Sequence, residues 1–389
     1  MSHEVSNLLL VQFSEFVAAH MGLHFPAERW PDLRRGIRSA APEFGYTDEV
    51  ACVQRLMSAP LTRHQIEILA GNLTVGETYF FREKRVFEVL TERILPELIQ
   101  SRRGGEQLLR LWSAACCTGE EAYSLAITLR RALPDLKEWQ VTILATDVNS
   151  RFLQKAATGV FGEWSFRDAP AWLKEQYFRR EEGNRYAILP EIRQMVQFEH
   201  LNLAEGSYPS LLTDTNAMDL IFCRNVLMYF APTQSQRVVA QLHRCLVDGG
   251  WLALSATETA SPQQFAAVNF DGAILYQKRE RPQAPVVAPA PPVAWPVPVA
   301  EPQRVASPPL APDVPDMIQS TRELANQGRL AEALALADKL VMAEKLNPVA
   351  QYLRAMIVME QGALPEASKA LQRAIYLDHD FVIAHFALG

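Results

Sequence analysis

Residues 113–124 read SAACCTGEEAYS, a stretch that joins small residues to a pair of acids. Ala114, Ala115 and Gly119 are small enough for backbone to approach a ligand closely. A helix opening at Glu120 would aim its N-terminal N–H groups at the same place. Glu120 and Glu121 suit a cationic ligand group, although acids also favour the first turn of any helix. Asp147 ends a second apolar run, VTILATD (141–147). A carboxylate there can accept hydrogen bonds from both hydroxyls of a ribose and would repel a 2′-phosphate. The first turn lacks G-x-G-x-x-G, and its acids suit an ammonium and a sulfonium better than a pyrophosphate. These residues alone point to a nucleotide-like cofactor, with NAD and S-adenosylmethionine both open.

Such residues must sit at the carboxyl ends of parallel strands, where open sheets bind ligands. The sequence supplies the strands. Apolar runs at 108–112, 141–147, 195–203, 219–225 and 251–256 alternate with amphipathic stretches such as GEEAYSLAITLRRAL and PTQSQRVVAQLHRCL. That alternation predicts an α/β fold with a doubly wound, mostly parallel sheet over 83–279. Two short alternating runs around Glu182–Asn184 predict a small antiparallel insertion at about 176–199. Residues 1–82 read as a small all-helical domain, with Leu9, Phe13, Phe16 and Val17 on one stripe and Leu56, Ile66, Ile68 and Leu69 marking a further core-facing helix. A helix over 83–101, bent near Pro96, would join the two parts.

Twelve prolines between Pro282 and Pro315, spaced mostly by Ala and Val, exclude helix and central strand, so 280–315 reads as a semi-rigid linker. Beyond it, Gly328, Leu330, Glu332 and Ala333 recur as Gly362, Leu364, Glu366 and Ala367, a period of 34 that predicts tetratricopeptide repeats over 316–389. A third unit opens at Asp380 and stops at Gly389, which suggests a truncated or frayed end. The net charge of −6 disfavours a general nucleic-acid binder. Five cysteines without a C-x-x-C pair suggest neither a zinc ribbon nor a redox site, and no metal is expected. With no basic leader and no apolar run of about 18 residues, the reading is a cytoplasmic protein without membrane insertion.

Five motifs now stand in order: TVGETYFFRE (74–83), WSAACCTGEEAYSLA (112–126), ATDVN (145–149), LNL (201–203) and FCRNVLMYF (222–230). Together they resemble the CheR-type chemotaxis receptor methyltransferases, over residues 1–279; with its repeats, the chain is similar to the branch that serves Wsp-type surface-sensing systems. The resemblance implies a class I S-adenosylmethionine methyltransferase fold and methyl esterification of glutamates on the cytoplasmic helical region of a chemoreceptor. It implies that Thr78 and Arg82 close over the cofactor and that Glu120, with Glu121 beside it, meets the ammonium. Asp147 would hold the ribose, Asn202 and Leu203 border the adenine, and Arg224 and Asn225 complete the wall. Arg82 and Tyr229 would orient the substrate carboxylate. Arg34, Arg35 and Arg38 would face an acidic receptor helix, although a solvated helix face explains them equally.

One departure is Gly76, where the family usually has Asn. It keeps open a non-catalytic adaptor that binds the cofactor while the repeats engage a protein partner. A nucleic-acid or small-molecule methyltransferase is the other alternative, disfavoured because CRNVLMYF stands where amino-directed enzymes carry N/D-P-P-Y/F. The short passage from YFRREEG into NRYAIL leaves little room to cradle a receptor tail, so a tail-independent enzyme is expected.

Overall fold

A computed structural model describes residues 5–279, 314–378 and 381–388. The proline-rich segment therefore lies outside the described residues, except that Val314 and Pro315 already open a helix. The chain divides into two compact units, Met1–Arg279 and Glu280–Gly389.

The first unit begins with four helices, α1 (Asn7–Met21), α2 (Trp30–Glu43), α3 (Glu49–Met57) and α4 (Arg63–Leu73). Polar side chains cap three of them: Ser6 accepts from the Leu9 N–H, Asp48 from Val50, and Thr62 with Gln65 forms a reciprocal capping box. On α1 the core takes Leu10, Phe13, Val17 and Met21, while Leu9 and Phe16 are only half-buried. The buried stripe is thus rotated from the one expected. Gly36 lets α2 close on α4, because a Cβ there would lie 2.4 Å from Leu73 Cδ2. After an extended segment, the chain runs through helix Lys84–Val89, a π turn at Leu90–Ile94 and helix Leu95–Arg102. Pro96 cannot donate an N–H to this ladder, and the bend expected there is a π turn just upstream of it.

Ten strands follow: β1 (Leu108–Ala114), β2 (Gln140–Asp147), β3 (Val160–Gly162), β4 (Phe178–Glu181), β5 (Arg185–Ile188), β6 (Val196–His200), β7 (Met218–Phe222), β8 (Leu246–Ala253), β9 (Phe265–Phe270) and β10 (Ala273–Lys278). Seven form the main sheet in the order β6-β2-β1-β7-β8-β10-β9. The first five are parallel, and β10 is antiparallel to both neighbours. β9 and β10 were not expected; their signal is Asp271–Gly272, a two-residue hairpin loop between alternating runs. The insertion is the sheet β3-β5-β4. It starts upstream of the expected 176, at Val160, and stops at Ile188, because Val196–His200 pairs with β2 in the main sheet.

Strand periodicity sorts the core. Leu111, Ile143, Leu220 and Phe222 face one apolar cluster, whereas Trp112, Leu144, Ile221 and Cys223 face the other. That second cluster also contains Leu10, Phe13, Leu33 and Leu69. The N-terminal helices therefore share one core with a face of the sheet.

The second unit contains helices Val314–Asn326, Leu330–Ala343, Pro348–Glu360, Leu364–Leu377 and Val382–Leu388. Gly328 and Gly362 adopt φ of 75° and 78° at the turns between paired helices, a conformation that glycine enters at little cost. Ala333 and Ala367 are buried where those helices meet.

Candidate active site

The sheet order reverses beside β1, and a cleft lies outside the carboxyl ends of β1, β2 and β7. After β1, Ala115 and Cys117 line the cleft with φ of 63° and 50°, and Gly119 follows at 93°. Left-handed backbone at non-glycine residues costs about 1–3 kcal/mol and concentrates at functional sites. The same conformation occurs at Phe81 and Glu83, in the segment that joins the helical domain to the sheet, and at Asn225 after β7. Each of these stretches contributes a wall.

Asp147 is buried at the end of β2. Its Oδ2 accepts the Cys117 N–H at 2.9 Å and its Oδ1 accepts the Asn149 N–H at 2.8 Å. Burial pushes its carboxyl up to about 6, against those backbone donors. Asn149 caps the next helix and also donates to Thr74 Oγ1 at 2.9 Å, fastening the end of α4 to the end of β2.

The acidic pair is divided. Glu121 lines the cleft, where it accepts from Ser113 Oγ at 2.7 Å and pairs with Arg224 at 3.3 Å. Burial raises its carboxyl, with Arg224 opposing. Glu120, expected to be the one facing the ligand, does not line the cleft. It accepts from the hydroxyls of Thr118 and Ser165 at 2.7 and 2.8 Å. Adjacent helical positions differ by about 100° in direction, and here Glu121 is the one turned to the cleft.

Arg224 is buried and pairs with Glu83 at 3.2 Å, donates to the Arg82 carbonyl at 2.7 Å, and keeps a buried Nε with no partner. Thr78, Arg82, Asn202, Leu203, Asn225 and Tyr229 also line the cleft. Arg82 donates to the Glu77 carbonyl at 2.8 Å and lies over the Tyr79 ring. Asn202 donates to the His20 carbonyl at 2.7 Å, another tie to the helical domain.

That domain closes the far side with Met21, Leu23, Phe25 and Arg29, none of which sequence reasoning singled out. The His24 N–H donates to the Tyr229 carbonyl at 2.7 Å, and the Arg29 guanidinium sits 5.1 Å from the centroid of the Tyr229 ring. Phe152 is a further unexpected wall. It occupies the space beside Gly76, where a Cβ would fall 2.8 Å from its Cζ. Arg34, Arg35 and Arg38 are not in the cleft. They bond Asn7, Asp32 and Glu49 on the outside of the helical domain. Among the described residues no group of three or more His, Cys, Asp and Glu is arranged to hold a metal.

Residues 76–273 match the family model described as "CheR methyltransferase, SAM binding domain". That is half of the chain. The chain belongs to the CheR methyltransferase family. It is 33% identical over 280 residues to the Pseudomonas putida protein named chemotaxis protein methyltransferase Cher2, covering 70% of this chain and 98% of that one. It is 36% identical over 220 residues to chemotaxis protein methyltransferase 1 of Pseudomonas aeruginosa, covering 55% and 77%. Against chemotaxis protein methyltransferase 2 of Vibrio cholerae the identity is 36% over 197 residues, 51% and 67% of the two chains. The fold is that of the class I S-adenosylmethionine methyltransferases, a CheR domain joined to helical regions at both ends.

The residues present fit S-adenosylmethionine. Asp147 keeps lone pairs on both oxygens beyond its two backbone donors, which suits a ribose diol. Glu121 supplies an acid for an ammonium, Leu203 and Phe152 supply apolar walls, and Arg224 Nε is an unused donor.

Proposed function

We propose that this protein methylates glutamate side chains on the cytoplasmic helical region of a chemoreceptor, as part of chemosensory adaptation in the cytoplasm. The observation that carries the reading is the convergence of Asp147 and Glu121 with Arg82 and Tyr229 on one cleft of a CheR-family chain. When bound, S-adenosylmethionine supplies a methyl group on a positive sulfur, already activated for displacement. The acceptor needs no base, because a glutamate with a reference pKa of about 4.3 is an anion at neutral pH. The chain's own task is positioning and the exclusion of water. Asp147 holds the ribose, Glu121 the ammonium, and Asn202 and Leu203 the adenine edge. Arg82 and Tyr229, both in the cleft lining, orient the acceptor carboxylate. Arg82 is already engaged with the Glu77 carbonyl and Tyr79, which limits how tightly it can pair with the acceptor. Met21, Leu23 and Phe25 keep the reacting atoms dry.

The product is a γ-glutamyl methyl ester. The three-residue loop Glu182–Gly183–Asn184 between β4 and β5 supports an enzyme that does not take a receptor tail. The paired helices with left-handed glycine turns support a tetratricopeptide module, of the Wsp-type branch, that engages a separate protein partner. Arg34, Arg35 and Arg38 remain candidates for touching the receptor helix through exchange of their present partners.

Calorimetry with S-adenosylmethionine and transfer of labelled methyl to receptor cytoplasmic fragments test the reading. Base-labile label on glutamate is the expected result, lost in Arg82→Ala and reduced in Tyr229→Phe, in each case by more than cofactor affinity falls. Binding without transfer to any receptor fragment would leave the adaptor in its place.

A further inference from the structure

The loop after β7 carries five cleft residues: Arg224, Asn225, Val226, Tyr229 and Phe230. Its backbone is irregular, with Asn225 at φ 58° and a single 3-10 turn at Leu227–Tyr229. Behind it, in the segment that leaves β8, stands Glu258, 6% exposed and not part of the cleft lining. Its Oε1 accepts the N–H groups of Val226 at 2.9 Å, Leu227 at 2.7 Å and Met228 at 3.4 Å. Its Oε2 accepts the N–H groups of Asn225 and Ser255, each at 3.0 Å, and the Ser255 hydroxyl at 2.6 Å. Six donors thus converge on one side chain, and four of them are consecutive amides of the cleft loop.

A loop that leaves a strand in a left-handed step cannot pass its amides to a neighbouring strand, and buried N–H groups left unpaired are costly. Here one carboxylate takes all four. Burying that carboxylate is equally costly without donors, so the loop and the acid fix each other's geometry. No other side chain bonds these four amides among the described residues.

We propose that Glu258 is a positioning residue for methyl transfer: it acts through the backbone of 225–228 to set Asn225 and Tyr229 in the cleft, and touches neither cofactor nor acceptor. This rests on the methyl-transfer reading. Glu258→Gln keeps the size of the side chain but turns an N–H₂ group toward three donors. In the full chain, hydrogen exchange of the Asn225–Met228 amides is expected to quicken at least tenfold while the β7 amides, Met218–Phe222, are unchanged. The kcat per folded molecule on a receptor fragment should fall at least tenfold. Unchanged kcat would overturn the proposal, and so would faster exchange across the whole sheet with kcat lost only in proportion to unfolded protein. If the Gln variant does not fold, Ser255→Ala decides. It removes one donor from Oε2, and should speed exchange at 225–228 and lower kcat at least twofold; no change in either overturns the idea. A wild-type chain that transfers no methyl group would sink the functional reading instead. The anchor would then be judged by loop exchange and S-adenosylhomocysteine affinity.

Discussion

Single residues set the chemistry, and the sharpest case is Asp147. Its carboxyl, raised to about 6 by burial, accepts the Asn149 and Cys117 N–H groups and has no ion-pair partner among the described residues. A ribose diol donates to the ionised form. Protonation as pH falls through about 6 therefore removes an acceptor and should weaken S-adenosylmethionine binding, by up to about tenfold per pH unit below that point. Affinity above pH 7 should be flat. Calorimetry across pH 5–8 checks this, and an unchanged constant would remove Asp147 from the ligand. The acidic pair gives a second test. Glu121→Gln should weaken cofactor binding about tenfold, whereas Glu120→Gln, with its carboxylate already satisfied by two hydroxyls outside the cleft, should change it less than about threefold. The reverse order would show that the ligand recruits Glu120. At Gly76, where the resemblance implies Asn, Phe152 fills the space that a side chain would take. Gly76→Asn should push the ring into the cleft and cost about 1 kcal/mol in cofactor affinity. In a Phe152→Ala background the same change should cost nothing. Equal effects in both backgrounds would separate the two residues.

At the scale of elements, the hairpin of the insertion carries a prediction about targeting. Glu181 and Arg185 close the β4–β5 pair, and Gly183 and Asn184 take the left-handed conformation that such a short loop needs. Titration of residues 1–279 with receptor tail peptides should give no binding below about millimolar. Micromolar binding lost on altering 182–184 would reverse this. The elements also show where local pattern ends. Strands β1, β2 and β7 were legible from apolar runs, and residues just after them line the candidate cleft. The β9–β10 hairpin was passed over because Ile274 is apolar yet exposed, which blurs the alternation of β10, and Asp271–Gly272 is its clearest mark. The insertion was displaced because β3 has three residues, too few to carry a periodicity.

For the whole molecule, the division at Arg279 has a consequence. Residues 1–279 contain all the described residues that line the cleft and both apolar clusters of the sheet, so this fragment should fold alone and keep the methyl-transfer rate of the full chain within about twofold. Removing 280–389 should instead change localisation or pull-down partners in cells. A fragment that is inactive though folded would place a catalytic contribution in the second unit. Removing residues 1–73 should be far more damaging than its distance from the sequence motifs suggests. Met21, Leu23, Phe25 and Arg29 wall the cleft, and the helical domain shares its core with Trp112 and Ile221.

The sequence by itself determined the alternation of strands and helices, the strand ends at which Asp147 and Asn225 stand, and the glycine turns at Gly328 and Gly362. Each is a local matter: a period of two or 3.6, a cap, or a residue that tolerates positive φ. Tertiary structure decided which of Glu120 and Glu121 faces the cleft, because helix phase relative to the sheet depends on packing across it. It decided that Phe152 would stand beside Gly76, that Arg29 would reach Tyr229, and that Glu258 would gather the amides of a loop some thirty residues upstream. These pairs are distant in the chain and obey no spacing rule. They follow only once the sheet order has brought the ends of β2, β7 and β8 and the helical domain to the same cleft.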